Sequence, residues 1–240
     1  MTGWFEFNGV KCTDLGIYVS ELPKIGLAEE RVKFTDVPGR NGSLAVTEGD
    51  DVYEDITLSC TCWVRDMDSF TEIGRYLHGS GWVRFGNRQE GRYRARITNQ
   101  IDFEQILRGR PHRKFTVNFR CKPFCYLDDS ADIAVSASGR ILTNKGNVFS
   151  EPSITVYPIR NYADEEDDLS MLTIGRNTVE LYDLTEPIII DTEMQEAYYG
   201  NKAMNHIMSG DFPVIPDGKS IVSWTGNIDH IVITPRWRKR

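Results

Sequence analysis

Apolar and polar residues alternate along much of this chain, which is the pattern of β-strands with one buried face. The clearest case is residues 52–64, where one side of the predicted strand is apolar and the other is polar. The inward positions are Ile56, Leu58, Cys60 and Cys62, and the outward positions are Asp55, Thr57, Ser59 and Thr61. We therefore expect a protein built mainly of β-strands.

Shorter strand patterns, separated by turn residues, fill the rest of the first half. Residues 4–22 predict two short strands joined by the turn pair Asn8-Gly9, because both residues tolerate a positive φ. Further strands are predicted at residues 31–37, 82–86, 92–98, 101–107 and 113–121, with a turn at 87–91.

One segment of the first half has helical periodicity. Phe70, Ile73 and Leu77 recur at the spacing of one helix face, which predicts a helix near residues 67–79. Its candidate caps are Asp66 or Asp68 at the beginning and Gly79 at the end. Several strands with one helix packed on them predict a split barrel or a small sandwich.

The second half has strand patterns and almost no helical periodicity. The predicted strands are residues 153–159, 170–175, 177–182, 187–191, 195–199, 219–225 and 228–234. Gly, Asn, Asp and Pro punctuate them at short intervals, which is typical of a β-sandwich. Asp128-Asp129-Ser130 is a suitable linker, so the predicted domains are residues 1–130 and 131–240.

Charge is distributed unevenly along the chain, whose net charge is −7. Residues 1–125 hold 18 Lys/Arg and 17 Asp/Glu, whereas residues 126–240 hold 10 and 18. The segment 84–122 alone carries 11 basic and 3 acidic residues. This asymmetry predicts two modules with different surroundings.

The five cysteines and the first residues indicate a reducing compartment. The chain lacks an apolar run of about 20 residues and lacks the basic start and apolar core of a signal peptide. We expect assembly in a cytoplasm, no membrane insertion and buried free thiols, since unpaired Cys packs as a small apolar residue. The alternative is a zinc site of Cys60, Cys62, Cys121 and Cys125, although their spacing is not that of Cys-x-x-Cys pairs.

Patterns that signal catalysis are missing from the sequence. The four histidines, His78, His112, His206 and His230, form no metal-binding helical pair. There is no nucleophile elbow, phosphate loop or dinucleotide-binding glycine motif. We therefore predict a protein that is not an enzyme, with no cofactor and no metal site.

Three binding functions stay open as alternatives. The acidic run 164–168 can hold calcium or form a solvated loop. The basic segment 84–122 can contact nucleic acid, with Tyr93, Phe103 and Phe115 as stacking candidates, or can face an acidic neighbour. Aromatic residues of the second half can contact sugar or pack in a core or interface. They include Tyr182, Tyr198, Tyr199, Phe212, Trp224 and Trp237.

A turn-rich segment follows the predicted strand at residues 31–37. Proline fixes φ, and Gly and Asn tolerate the left-handed region, so this segment predicts a turn or the tip of a β-arm. An arm can reach a neighbouring subunit or form an ordinary intramolecular hairpin. The candidate inter-subunit residues are Pro38, Gly39, Arg40, Asn41 and Gly42.

Short motifs follow one another along nearly the whole chain. They are Phe5-Glu6-Phe7-Asn8-Gly9, Asp14-Leu15-Gly16-Ile17, the loop just described, Gly81-Trp82-Val83-Arg84-Phe85, the strand 115–124, Asn144 and Gly146, Glu151-Pro152-Ser153-Ile154, Gly210-Asp211-Phe212-Pro213, Gly218-Lys219-Ser220 and Pro235-Arg236-Trp237. In this order they resemble the distal tail proteins of siphophages, the phages with long non-contractile tails.

The resemblance implies a structural protein at the tail tip of a virion, assembled in the host bacterial cytoplasm. Its first domain would be tail-tube-like and form a ring, typically of six copies, at the end of the tail tube. Its second domain would be a galectin-like β-sandwich that points outward. The implied partners are further copies of the chain, the tail tube protein, a tail-tip protein and a receptor-binding protein, with DNA only in passage.

Two other functions remain as alternatives to the hub. One is a carbohydrate-binding β-sandwich module, and the other is a tail-tube or tail-terminator protein.

Overall fold

The computed structural model describes residues 3–49, 51–65, 70–106, 111–159 and 169–240. These residues form strands for the most part, with one α-helix and two short 3-10 turns, so the prediction of a mainly β protein with a single helix is confirmed. The chain divides between Cys125 and Tyr126 into two compact units, and Arg240 groups with the first. No helix in the described part has the length and apolar character needed to cross a membrane.

The first unit contains eleven strand segments and the helix, which connect in chain order. They are β1 (Phe5–Phe7), β2 (Val10–Lys11), the 3-10 turn Cys12–Leu15, β3 (Ile17–Glu21), β4 (Val32–Thr35), β5 (Leu44–Thr47), β6 (Ile56–Val64), α1 (Phe70–Tyr76), β7 (Ser80–Phe85), β8 (Arg88–Ile97), β9 (Glu104–Gln105), β10 (Arg113–Cys121) and β11 (Cys125–Leu127), whose first residue ends the unit.

Most of these strands form one antiparallel sheet that curls on itself. Its strand order is β2-β1-β7-β8-β10-β6-β3, and β9 pairs with β10 beside this path. Gly3, just before β1, bridges Val19 in β3, which brings the two ends of the path together. A sheet that closes in this way has one face inside and one outside, as a split barrel requires.

The inner face of this sheet holds an aromatic core that the alternating pattern supplies. Phe119 of β10 lies at its centre, with its ring centroid 5.2 Å from Phe5, 5.7 Å from Phe7 and 5.6 Å from Phe85. The helix places Tyr76 on the same cluster, stacked on Phe5 at 6.1 Å. Edge-to-face pairs such as Phe5–Phe119 fix ring orientation in addition to burying apolar area.

Several sequence predictions for the first unit are confirmed. Asn8 and Gly9 have φ of 51° and 82° and join β1 to β2 as a tight hairpin turn. In β6, Leu58, Cys60 and Cys62 are buried, and Thr57 and Ser59 are exposed.

Other predictions for the first unit are wrong. Most of the strand expected at 101–107 is irregular, and only Glu104–Gln105 pairs with β10. The turn expected at 87–91 is shorter, because Phe85 already pairs with Arg88 and β8 begins there. Phe70 does not join the buried helix face but is half exposed against Phe103. The proposed caps Asp66 and Asp68 lie outside the described residues.

The second unit contains the remaining strands. They are β12 (Ile133–Val135), β13 (Arg140–Thr143), β14 (Ser153–Tyr157), β15 (Leu169–Ile174), β16 (Asn177–Tyr182), β17 (Ile188–Asp191), β18 (Glu196–Tyr199), β19 (Lys202–Ala203), the 3-10 turn Asn205–Ile207, β20 (Met208–Ser209), β21 (Lys219–Thr225), β22 (His230–Thr234) and β23 (Arg238–Lys239).

Two sheets of the second unit enclose one apolar core, as in a β-sandwich. The first sheet has the order β12-β22-β14-β17-β18-β19, and the second has the order β13-β21-β15-β16-β20. Alternate residues of both sheets are buried in a single cluster. They include Ile154, Val156, Ile190, Ile231 and Ile233 from the first sheet, and Leu172, Ile174, Val179, Leu181 and Val222 from the second. All seven strands predicted for this half are present, with small differences at their ends.

Candidate assembly interface

The candidate inter-subunit residues lie at the tip of a β-arm formed by β4 and β5. The two strands pair antiparallel, from Val32 opposite Thr47 to Thr35 opposite Leu44. Backbone contacts extend the arm toward the sheet, since Arg31 N donates to Val52 O at 2.9 Å and Glu54 N donates to Glu29 O at 2.8 Å. The predicted arm is therefore present.

The tip is built by the turn residues that the sequence contains. Arg40 N donates to Val37 O at 3.1 Å across Pro38 and Gly39, and Gly39 has φ of 80°. A proline followed by a residue at positive φ is the arrangement of a type II turn. All five candidate residues, Pro38, Gly39, Arg40, Asn41 and Gly42, are exposed.

Both faces of the arm carry uncovered apolar side chains. Directly opposite residues share a face, so Phe34 and Ala45 lie on one side, and Leu44 and Val46 on the other. The exposed fractions of Phe34, Val46 and Leu44 are 70%, 48% and 40%. A two-stranded ribbon is marginal by itself in water, and apolar residues exposed on both of its faces are typical of a segment that a partner covers.

A second feature of the first unit is a basic outer face on its curled sheet. In β8, Tyr93 and Ala95 are buried, whereas Arg92, Arg94 and Arg96 are exposed on the other side. The neighbouring strand β10 adds Arg120, which stands opposite Arg96. The charge excess seen in the sequence at 84–122 thus becomes a contiguous surface, because strand alternation points its arginines to one face.

Trp82 of β7 lies within this basic face and holds two of its arginines. The guanidinium carbon of Arg92 is 4.9 Å from the Trp82 ring centroid, and that of Arg94 is 5.0 Å away. These are cation–π distances. The sequence prediction missed Trp82, because its role depends on the register in which it pairs with Arg94.

The hairpin turn at Asn8 fixes the backbone beside Trp82. Asn8 Oδ1 accepts a hydrogen bond from Trp82 N at 3.0 Å, and Asn8 N donates to Trp82 O at 2.9 Å. A Cβ at Gly81 would lie 1.7 Å from Asn8 Oδ1. The motifs at residues 5–9 and 81–85 therefore act together in positioning the basic face.

The residues proposed to stack on nucleic-acid bases lie in the core instead. Tyr93 and Phe115 are buried on the inner face of the sheet, and Phe103 packs against Phe115 with ring centroids 4.8 Å apart. The prediction that these rings are available for stacking is wrong, because β8 and β10 turn their arginines outward and their aromatic residues inward.

The aromatic residues considered for sugar contact do not share one surface. Trp237 is buried, and the indole nitrogen of Trp224 donates to Ile228 O at 2.9 Å beside the core. Tyr182 and Tyr199 are exposed but belong to different sheets of the second unit. Tyr198 and Phe212 are partly buried.

Motifs of the second unit serve structure. Asn144 donates through its side-chain nitrogen to Val148 O and Pro216 O, both at 3.0 Å, and accepts from Gly146 N. Gly146 approaches Arg238 so closely that a Cβ would lie 2.0 Å from its carbonyl oxygen. This cluster joins the segment after β13 to the end of the chain.

A charged pair completes this end of the second unit. Arg236 donates to both carboxylate oxygens of buried Asp191, at 2.8 and 2.6 Å, and Arg238 donates to Glu151 at 2.8 Å. Burial raises the pKa of Asp191, but the hydrogen bonds from Arg236 and from the backbone of Met194 and Glu193 bring it below its ordinary value. The carboxylate therefore stays ionised and holds Arg236.

All five cysteines are buried and unpaired, which confirms the prediction of buried free thiols. Burial raises the pKa of Cys12, Cys60, Cys62 and Cys121. No group of His, Cys, Asp or Glu within the described ranges is arranged to hold a metal ion. The acidic run 164–168, considered for calcium, lies outside those ranges.

Comparison with known proteins finds likeness in structure. No protein-family model matches the chain, and no curated protein matches it in sequence. The Dit protein of phage SPP1, described as a paradigm of the hub adsorption apparatus in phages that infect Gram-positive bacteria, superposes with a TM-score of 0.73. The two are 15% identical, and the match covers 99% of each chain. A structure of the phage p2 baseplate in its activated conformation has a TM-score of 0.47 at 7% identity, covering 97% of each chain.

The chain thus has the fold of the SPP1 Dit protein from end to end. The predicted resemblance to siphophage distal tail proteins is confirmed for the fold.

Proposed function

We propose that this protein is a structural hub at the distal end of a long, non-contractile phage tail. It assembles as a ring, typically of six copies, and joins the tail tube to the tail-tip and adhesion apparatus. The observation that carries the proposal is the full-length fold likeness to the SPP1 Dit protein, a hub of a phage adsorption apparatus.

The β-arm supplies a means of closing the ring. Phe34 and Val46 lie uncovered on opposite faces of the arm, so a neighbouring copy that packs on it would remove apolar surface from water. A contact between an arm and a different surface of the next copy is head-to-tail, and such contacts close into rings. Residues Pro38–Gly42 at the tip are the proposed inter-subunit contact.

The two parts of the chain take different roles in this proposal. Residues 1–130 form the ring against the tail tube, as a tail-tube-like domain. Residues 131–240 form a galectin-like sandwich that points outward, toward a tail-tip protein and a receptor-binding protein. DNA passes through the ring without sequence readout.

The proposed role is structural and uses no enzyme chemistry or cofactor. The conserved business of the chain would be assembly in the host cytoplasm and retention in the virion tail tip. Support comes from the motif residues, which hold the fold together: Asn8 fixes the backbone at Trp82, and Asn144 fixes the segment after β13.

Native mass spectrometry of the purified protein over a concentration series, with negative-stain images of the same sample, tests this function. We expect closed sixfold rings. Open tubes would favour the tail-tube alternative. A monomer at all concentrations, which does not close into a ring when tail tubes are added, would contradict the proposal.

A further inference from the structure

The basic face of the first unit contains a groove, which we call the arginine groove. It has a volume of about 580 Å³, and its charged and aromatic lining is Trp82, Arg94, Arg96, Arg120, Lys122 and Asp55. Ser80, Gly81, Ala95 and Thr98 complete the lining. Pockets of this volume accommodate a ligand the size of a short peptide segment.

Charge within the groove is unbalanced. Arg96 and Arg120 stand directly opposite each other on β8 and β10, which is unfavourable for like charges. Asp55 is shared, with its carboxylate 2.9 Å from Arg120 and 3.9 Å from Lys122. Arg96 makes no ion pair within the described part of the chain. An anion entering the groove would relieve this repulsion.

Carboxylates suit the groove better than a nucleic-acid backbone does. Trp82, the aromatic residue of the groove, already contacts Arg92 and Arg94, and so is occupied rather than presented for base stacking. Asp55 inside the groove and Glu6 opposite Arg84 interrupt the positive surface that a continuous row of phosphates would need. Separate carboxylates can reach Arg94 and Arg96 and form charge-assisted hydrogen bonds there.

We propose that the arginine groove binds an acidic peptide segment of a partner protein. This proposal rests on the hub function and deepens it, because it names the chemistry of one docking partner. The segment lies extended, so that alternate acidic side chains point toward Arg94, Arg96 and Arg120. Charge complementarity gives such a contact its specificity and its sensitivity to salt.

Fluorescence anisotropy with a labelled octapeptide of alternating Glu and Ala tests the groove. At low salt we expect the full-length protein to bind this peptide, and binding to weaken as salt rises. The same peptide with Gln in place of Glu should not bind. Pentathymidylate, which carries the same number of negative charges as the Glu peptide, should bind more weakly than that peptide.

Charge-reversal variants locate the binding site. Arg94→Glu combined with Arg96→Glu should weaken binding of the Glu peptide about tenfold or more. Arg96→Glu alone, which disturbs no contact with Trp82, should weaken it about threefold. The matched control combines Arg176→Glu with Lys219→Glu, two exposed residues of the second unit, and changes net charge equally. It should leave affinity within about twofold of the unchanged protein.

The proposal is overturned if the Glu peptide fails to bind, if the Gln peptide binds equally well, or if both double variants lose affinity equally. Tighter binding of pentathymidylate than of the Glu peptide would assign the groove to nucleic acid instead. Native masses of the same samples keep the two proposals apart. Rings that do not bind the peptide contradict the groove alone, and monomers that bind it contradict the hub alone.

Discussion

At the scale of single residues, side chains that look like surface polar groups in the sequence fix the backbone. Asn8 is the clearest example, because its side-chain oxygen accepts from Trp82 N where a Cβ on Gly81 would collide. The turn pair Asn8-Gly9 could be recognised from the sequence. The contact with Trp82 could not, since it joins residues 74 positions apart whose pairing depends on the fold.

Gly81→Ala tests this contact. The added methyl group displaces the Asn8 side chain and breaks its hydrogen bond, which should lower the free energy of unfolding by about 1–3 kcal/mol. Gly74→Ala in α1 is the matched control, because a Cβ there meets nothing within 4 Å. It should raise the free energy of unfolding by about 0.5–1 kcal/mol. Urea denaturation measures both, and equal effects would contradict the assigned contact.

Asp191 predicts an acid-sensitive second unit. Its pKa is lower in the folded protein than in the unfolded chain, so it stabilises the fold fully above about pH 4–5. That contribution is lost as the pH falls through the folded pKa. Asp191→Asn should therefore destabilise the protein by about 1–3 kcal/mol at pH 7 and by much less near pH 2–3.

Urea denaturation at both pH values measures this difference. Asp217→Asn at an exposed position is the control and should change little at either pH. A destabilisation by Asp191→Asn that is the same at both pH values would rule out the ionised pair with Arg236.

Thiol chemistry gives a third residue-scale prediction. All five cysteines are buried, and burial raises the pKa of Cys60, Cys62 and Cys121, which disfavours the reactive thiolate. A thiol reagent such as Ellman's reagent should modify none of them in the folded protein and all five in urea. Rapid modification of the folded protein, or zinc retained after purification, would contradict this assignment.

At the scale of elements, strand alternation carried most of the correct predictions. Residues 56–64 and the seven strands of the second half have a clear period of two, and the structure contains them. β12 and β13 were missed because each is only three or four residues long and they flank a Ser-Gly turn. Arg88–Gly91 looked like a polar turn, although its residues already belong to the outward and inward pattern of β8.

The β-arm predicts a variant that separates folding from assembly. Phe34→Ser combined with Val46→Thr removes apolar surface from both arm faces, so ring formation should fall while the melting temperature of the monomer shifts by less than about 2 °C. Ile141→Thr with Ile221→Thr is the matched control, because these exposed residues pair across β13 and β21 of the second unit.

Native mass spectrometry gives the oligomeric state of both variants. The control should keep its rings. If the arm variant also keeps them, β4 and β5 do not close the ring, although the hub function could then use another contact surface.

At the scale of the whole molecule, the sequence predicted the fold through ordered motifs rather than through any single site. The likeness to the SPP1 Dit protein covers 99% of each chain at 15% identity. What survives at such low identity is the set of turn and contact residues that determine the path of the backbone, such as Asn144 with Gly146. The basic groove could not be predicted, because it needs the register of β7, β8 and β10 together.

Cryo-electron microscopy of the purified assembly tests the central claim most directly. The account predicts a closed ring, typically of six copies, in which residues 32–47 of each copy pack on the next. Its map would then show Phe34 and Val46 covered by the neighbouring subunit. Particles in which the arm projects into solvent, or in which copies stack into open tubes without closing as a single ring, would contradict it.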